Sequence, residues 1–385
     1  MEKRAVTYFD NAASTWPKPP EVIRAVGHVL SEVGANPGRS GHDLSIEAAR
    51  VIFEARDNLA VLFNAENPLQ IVFTRNATEA LNIVIAGFFN SGDHVITSGM
   101  EHNSVMRPLR MMESRGIKLT IAACSADGEL DPADVEASIR SETKAVILTH
   151  ASNVTGTIQP IAEVGAIARR HGITFCVDAA QTAGSLPIDI QAMNIDLLAF
   201  TGHKSLYGPQ GTGGLYIGPG LEKKIAPLMS GGTGSVSEFD VQPDFLPDKY
   251  ESGTLNTPGI AGLCAGVRFI RSKGIETIRS HEAGLAGLLR EGLASIPGVC
   301  VYGSSAGMFP VVSFTIEGMS PSDVTQRLDE EYGIMSRPGL HCAPSAHRTI
   351  GTFPEGTVRF SLGFFNTAGE IRHGLDAVSK IASGR

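Results

Sequence analysis

The residues of this chain that could do chemistry follow short apolar runs. After Ile71-Val-Phe-Thr comes Arg75-Asn-Ala-Thr-Glu79, and after Val95-Ile-Thr comes a stretch ending in Glu101-His102. Val146-Ile-Leu-Thr leads into His150-Ala-Ser-Asn153, Phe175-Cys-Val into Asp178-Ala-Ala-Gln181, and Leu197-Leu-Ala-Phe into Thr201-Gly-His-Lys204. Asn76-Ala77-Thr78 sits where a strand gives way to a helix, so N–H groups and a hydroxyl face outward at an end that binds phosphate. The same pattern also makes an ordinary N-cap. Asp178 ends an apolar run; its carboxylate loses water and needs a partner, and a protonated pyridine nitrogen would serve. Most lysines are exposed and inert. Lys204, close to that carboxylate and an anion site, is a Schiff-base candidate. His102 offers a flat ring for stacking. Phosphate site, ring-nitrogen carboxylate, stacking ring and lysine together describe pyridoxal 5′-phosphate (PLP).

An open, mostly parallel sheet would bring these segments together, because such sheets bind ligands outside the carboxyl ends of their strands. Candidate strands run over 70–74, 94–97, 118–122, 145–150, 173–177, 197–200 and 214–217. Between them, 78–89, 104–114, 132–140 and 161–171 read as helices. Strands alternating with helices indicate βαβ units, and burial on both faces explains apolar runs with little alternation. Past a boundary near 253–259 the pattern changes to long helices over 258–273 and 275–295, with strands over 299–302, 311–316 and 358–362. This predicts a smaller α+β domain. No GxxxxGK[ST] is present, and the glycine clusters 211–214 and 231–234 do not open a helix after a strand as a dinucleotide site requires.

The sequence has 385 residues, 32 Lys+Arg against 40 Asp+Glu, and a net charge of −8, which argues against a nucleic-acid or membrane-surface role. Its 42% hydrophobic and 19% charged residues exclude a disordered chain. The opening residues lack the apolar core of a signal peptide and no apolar run reaches spanning length, so a soluble, cytoplasmic protein is expected. Cys124, Cys176, Cys264, Cys300 and Cys342 are few, far apart and never in a CxxC pair, which excludes a disulfide framework or zinc site. Cys342 stands out. It lies among turn residues beside His341 and near Arg337, and a cationic neighbour favours the thiolate.

The motifs resemble the cysteine desulfurases, in the class V aminotransferase-like branch of fold-type I PLP enzymes. Nearly end to end, they are Asp10-Asn-Ala-Ala13, Thr74-Arg-Asn-Ala-Thr-Glu-Ala80, Glu101-His102, Ser152-Asn-Val-Thr-Gly156 and Val177-Asp-Ala-Ala-Gln181. Thr201-Gly-His-Lys-Ser-Leu-Tyr-Gly-Pro209, Glu251-Ser-Gly-Thr-Leu-Asn256, Arg337-Pro-Gly-Leu-His-Cys342 and Arg359-Phe-Ser-Leu complete the set. The resemblance implies a seven-stranded, mostly parallel sheet flanked by helices in a large domain over 15–255. A small domain over 1–14 and 256–385 would carry the cysteine loop.

It also implies roles for individual residues. Lys204 would bind PLP covalently, Asp178 would pair with the pyridine nitrogen, Gln181 would bond the phenolic oxygen, and His102 would stack on the ring. Ala77, Thr78, Thr201 and His203 would hold the phosphate, with Thr254 reaching it from the second subunit of a homodimer. Asn153 and Arg359 would hold the substrate carboxylate, Arg359 as a bidentate clamp, and Ala12 and Ala13 would line the substrate side. L-Cysteine would become L-alanine, its sulfur passing to Cys342 as a persulfide and then to a protein acceptor, with His102 shuttling a proton. The cysteine segment resembles the short-loop subgroup, with Leu340 in place of its first His; Ser205 is an additional residue after the lysine. A selenocysteine lyase or other PLP-dependent C–S lyase would use the same scaffold without Cys342, and a silent scaffold protein would bind no cofactor.

Overall fold

A computed structural model describes residues 6–38, 40–236, 238–304 and 309–384. Residues 1–5, which the sequence assigns to the small domain, lie outside the described residues. The apolar runs form seven strands: β1 (Ile71–Thr74), β2 (His94–Ser98), β3 (Lys118–Ala122), β4 (Thr143–Thr149), β5 (Thr174–Asp178), β6 (Leu197–Thr201) and β7 (Gly213–Ile217). Their spatial order is β1-β7-β6-β5-β4-β2-β3. Only β7 runs antiparallel to its neighbours; the rest share one direction. The sheet is therefore seven-stranded and mostly parallel, as expected, and all five residues of β6 and of β7 are buried because helices cover both faces.

β7 does more than fill the sheet. It pairs Gly213 with both Thr74 and Thr201, so this strand begins at the same edge where β1 and β6 end. A Cβ on Gly213 would stand 2.7 Å from the Asn76 Cα, so glycine lets the turn after β1 press against the sheet. The helix Ala77–Phe88 starts there, capped by Asn76 Oδ1, which accepts from Glu79 N at 2.9 Å.

A second, antiparallel sheet has four strands in the order Arg337–Gly339, Thr357–Ser361, Val311–Ile316, Val299–Tyr302. Its core includes Phe9, Leu289, Phe314, Val358, Phe360 and Val378. Thr7–Tyr8 pairs in parallel with Ile334–Met335, and Asp10 bridges Ser361, so the start of the chain joins its last third. The helix Thr257–Lys273 behaves otherwise. Its Ile260, Leu263, Val267 and Ile270 pack into the core of the larger sheet, past the boundary expected at 255. No helix of the described residues is long and apolar enough to cross a membrane.

One buried ion pair ties the larger lobe together. Arg56 donates from Nη1 and Nη2 to the two Glu251 oxygens, each at 2.9 Å, and Glu251 Oε1 also accepts from Phe73 N at 2.6 Å. Both side chains are buried, and the pair fixes the segment that precedes Thr254. Arg56→Leu leaves an uncompensated carboxylate and is expected to cost about 3–5 kcal/mol, read as a lowered denaturant midpoint.

Candidate active site

The carboxyl edge of the larger sheet holds a cavity of about 290 Å³. Thirteen residues line it, among them Ala77, Thr78, His102, Asn153, Asp178, Gln181, Thr201, His203 and Lys204. A larger cavity of about 500 Å³, lined by Arg169, Asp196 and Lys224 among others, opens at the other strand ends, away from this set. The site is therefore chosen by its chemistry, not by size.

Lys204 and Asp178 define its electrostatics. Burial pushes the Lys204 amine down to about 8; Asp178 opposes the shift, while Arg359 and Arg337 add to it. Lys204 as a whole residue is half-buried and lines the cavity. Burial also raises the Asp178 carboxyl, offset in part by the Ala180 N–H, which donates to Oδ1 at 2.9 Å, and by Lys204. A lysine amine near 8 is about half neutral at that pH, and its neutral fraction falls tenfold per pH unit below it. Acetylation of Lys204 in cofactor-free protein, followed by peptide mass mapping, should therefore level off just above pH 8, where an ordinary lysine keeps rising to beyond 10.

His102 is fixed by its own helix. It caps Asn103–Glu113, and its Nδ1 accepts from Ser104 N at 3.1 Å and pairs with Ser104 Oγ at 2.8 Å. An accepting Nδ1 places the proton of the neutral ring on Nε2. Burial, then the charge of Lys204, lowers this ring to about 4, so it is neutral at pH 7. Beneath it Glu101 is fully buried: its carboxyl accepts from Ser98 Oγ at 2.6 Å and from Thr149 N at 2.9 and 3.1 Å. Burial pushes it up to about 8. These bonds staple the end of β2 to the end of β4, the two strands that deliver His102 and Asn153.

The second wall comes from the smaller lobe. Arg359, buried on the strand Thr357–Ser361, donates from Nη1 to Asn153 O at 3.0 Å and from Nη2 to Asp10 Oδ1 at 2.9 Å. Its Nε is buried without a partner. Arg337–Gly339 pairs along the same strand and leads into His341 and Cys342, both at positive φ (47° and 59°). Two successive left-handed non-glycine residues cost of order 1–3 kcal/mol each and persist only where surroundings hold them. Here the His341 carbonyl accepts from Asn153 Nδ2 at 2.7 Å, and the Cys342 carbonyl accepts from Asn103 N at 2.8 Å. His341 Nε2 bonds Thr357 Oγ1 at 3.1 Å. The Cys342 thiol is exposed, with Arg337 Nη2 at 3.6 Å from its sulfur.

The aminotransferase class-V family model matches residues 7–373. A probable cysteine desulfurase of Methanothermobacter thermautotrophicus is 38% identical over 379 residues, covering 97% of this chain and 94% of the relative. The chain belongs to the class-V aminotransferase family, among its cysteine desulfurases. The apo structure of a cysteine desulfurase from Thermococcus onnurineus NA1 superposes with a TM-score of 0.91 at 35% identity, covering 99% of this chain and 95% of the other. The cysteine desulfurase CsdA (S-sulfonic acid) from Escherichia coli gives 0.88 at 30% identity, covering 98% and 94%. These likenesses make the chain a fold-type I enzyme.

Within this family member, most of the expected site residues meet in or beside one cavity. Five lie outside its lining: Arg359 and Cys342 on the facing wall, and Ala12, Ala13 and Thr254. Gln181 Nε2 donates to Ala12 O at 3.2 Å, so Ala12 meets the site through its backbone; Ala13 lies in the same turn, outside the cavity lining. Thr254 is exposed and also outside that lining. The pairing of Asp10 with Arg359 and the bridging role of Glu101 could not be read from the sequence, since each acts through a partner far along the chain, while Ser104, two residues from His102, carried no signal of its own.

Proposed function

We propose that this chain is a PLP-dependent cysteine desulfurase that converts L-cysteine to L-alanine and carries the sulfur on Cys342 for a protein acceptor. The observation that carries the reading is the placement of an exposed thiol on a loop bonded to Asn103 and Asn153, next to the cavity that holds Lys204. The cavity suits PLP. Thr201 Oγ1 and His203 Nδ1 are buried without partners, as phosphate-binding groups would be before a phosphate arrives, and both line the cavity with Thr78 at a helix N-terminus. Burial raises the Asp178 carboxyl beyond what Lys204 offsets, and a protonated ring nitrogen would add a second cation. When bound, PLP withdraws electrons from the substrate Cα.

The chain's own groups would do the rest. Arg359 holds the substrate carboxylate with the N–H that lacks a partner, while Asp10 and Asn153 fix the plane of its guanidinium. Lys204, with its lowered basicity, takes the proton from Cα and returns it. Asp178 would keep a proton on the ring nitrogen, Gln181 would bond the ring oxygen, and neutral His102 would stack on the ring and accept or donate a proton at Nε2. The Cys342 sulfur would attack the substrate sulfur: the new S–S bond forms as the Cβ–S bond breaks, and its electron pair stays with the three-carbon fragment, whose Cβ gains a proton equivalent to the one lost from the Cys342 thiol before it leaves as alanine.

A homodimer fits the surface. Leu44, Ile46, Phe53, Phe239 and Val241 are exposed, and Thr254 of the partner subunit would complete the phosphate site. All five cysteines are free, which supports a reducing compartment such as the cytoplasm. The test is incubation of the PLP-loaded protein with L-cysteine. Alanine together with one added sulfur on the Cys342 peptide supports the reading; neither product overturns it.

A further inference from the structure

Three donors from one short segment converge on one carbonyl oxygen. The His203 oxygen accepts from Lys18 Nζ at 2.6 Å, from Thr15 N at 3.2 Å and from Ser14 Oγ at 3.3 Å. A carbonyl has two lone pairs, so three donors saturate it, and the ammonium bond is charge-assisted. Burial lowers the Lys18 ammonium to about 8, an expense for a cation whose partner is a neutral oxygen. That oxygen belongs to the peptide joining His203 to Lys204. The next peptide is held too, since Lys204 O accepts from Tyr207 N at 2.9 Å.

The clamping segment is itself anchored. Tyr8 Oη donates to Ser14 O at 2.8 Å, and Asn11 Oδ1 accepts from Trp16 N at 3.3 Å. At its start Asp10 meets Arg359, and Ala12 N donates to Ser361 Oγ at 2.9 Å. Residues 10–18 thus form a strap from the arginine of the smaller lobe to the lysine loop of the larger sheet. We propose that Lys18 is a positioning residue for Lys204: with Thr15 and Ser14 it locks the peptide plane from which the lysine side chain springs. The amine's approach into the cavity would then be held to one direction. Fixing a reacting group in this way lowers the entropy cost of each bond-forming step. The inference rests on Lys204 being the PLP-bearing lysine.

Lys18→Met keeps the apolar stem and removes the ammonium, Lys18→Arg restores a cationic donor, and Ser14→Ala removes a weaker member of the clamp. PLP titrated into each cofactor-free protein gives its affinity, visible circular dichroism reports how rigidly the ring is held, and L-cysteine turnover separates kcat from KM. Lys18→Met should bind PLP about tenfold more weakly and lose dichroic intensity, with kcat reduced and KM for L-cysteine unchanged. Lys18→Arg should recover most of both, and Ser14→Ala should shift them less in the same direction. Wild-type affinity and dichroism in Lys18→Met overturn the proposal. So does a loss that moves kcat, KM and the melting midpoint together with no rescue by arginine. If the wild-type protein itself binds no PLP, the reading of the site fails first and Lys18's role falls with it.

Discussion

Cys342→Ser is expected to bind PLP as the wild type does, yet to form no persulfide and to lose L-alanine production from L-cysteine by about a thousandfold or more. The reasoning is structural. Cys342 is exposed, contributes nothing to the core, and is held by its backbone carbonyl, which serine keeps. The substitution removes only the sulfur that accepts the substrate's sulfur. A hydroxyl cannot replace it, because alkoxide is harder to form and the S–O bond that would result is weak. Amino-acid analysis for alanine and the mass of the 337–359 region after incubation read the two products separately. Full alanine release by this variant would remove Cys342 from the mechanism and leave a C–S lyase that frees sulfide directly, the behaviour of the selenocysteine-lyase alternative.

The second large effect falls on Lys204. Lys204→Ala should abolish the visible absorbance of a lysine-bound cofactor and lower turnover of L-cysteine by about ten-thousandfold or more, since one amine both anchors PLP and moves the Cα proton. Fold and stability should survive. Taking away a buried amine whose basicity burial already depresses relieves desolvation, so the melting midpoint of the cofactor-free variant should be at least that of the cofactor-free wild type. Persistence of the band would assign the cofactor to another amine.

The large sheet was legible because its inner strands are buried on both faces and write themselves as apolar runs, each followed at once by polar groups, while the edge strand over 118–122 is mostly unburied. The strand over 118–122 and the helix over 161–171 fall where the sequence places them. The helix Asp43–Phe63 was not apparent. Leu44, Ile46, Phe53 and Val61 are apolar yet exposed, so its apolar positions do not fall on one face and the helical period is blurred. Arg337–Gly339 was hidden for the opposite reason: Pro338 and Gly339 signal a turn, and the segment is a strand only because it lies at a sheet edge, where a missing N–H is tolerated. Within the site, residues that present a side chain at a strand end were readable. The supports were not, since the bonds from Asn153 to His341 and from Arg359 to Asp10 join positions 188 and 349 residues apart.

That last span governs when the enzyme becomes competent during synthesis. Residues 7–18 are made before the larger sheet, yet their partners Ile334–Met335, Arg359 and Ser361 are made after it. At roughly 5–20 residues per second, about 350 residues of translation separate the two halves, some 20–70 s in which the larger sheet can form around its nearer contacts. Throughout that interval the strap has no strand to pair with, and Arg359 and Cys342 do not yet exist. A nascent chain stalled before residue 357 should therefore resist protease across β1–β7 and be cut readily within residues 7–13. Sulfur chemistry can begin only after residue 359 has been made, so a shorter nascent chain has no means of generating persulfide.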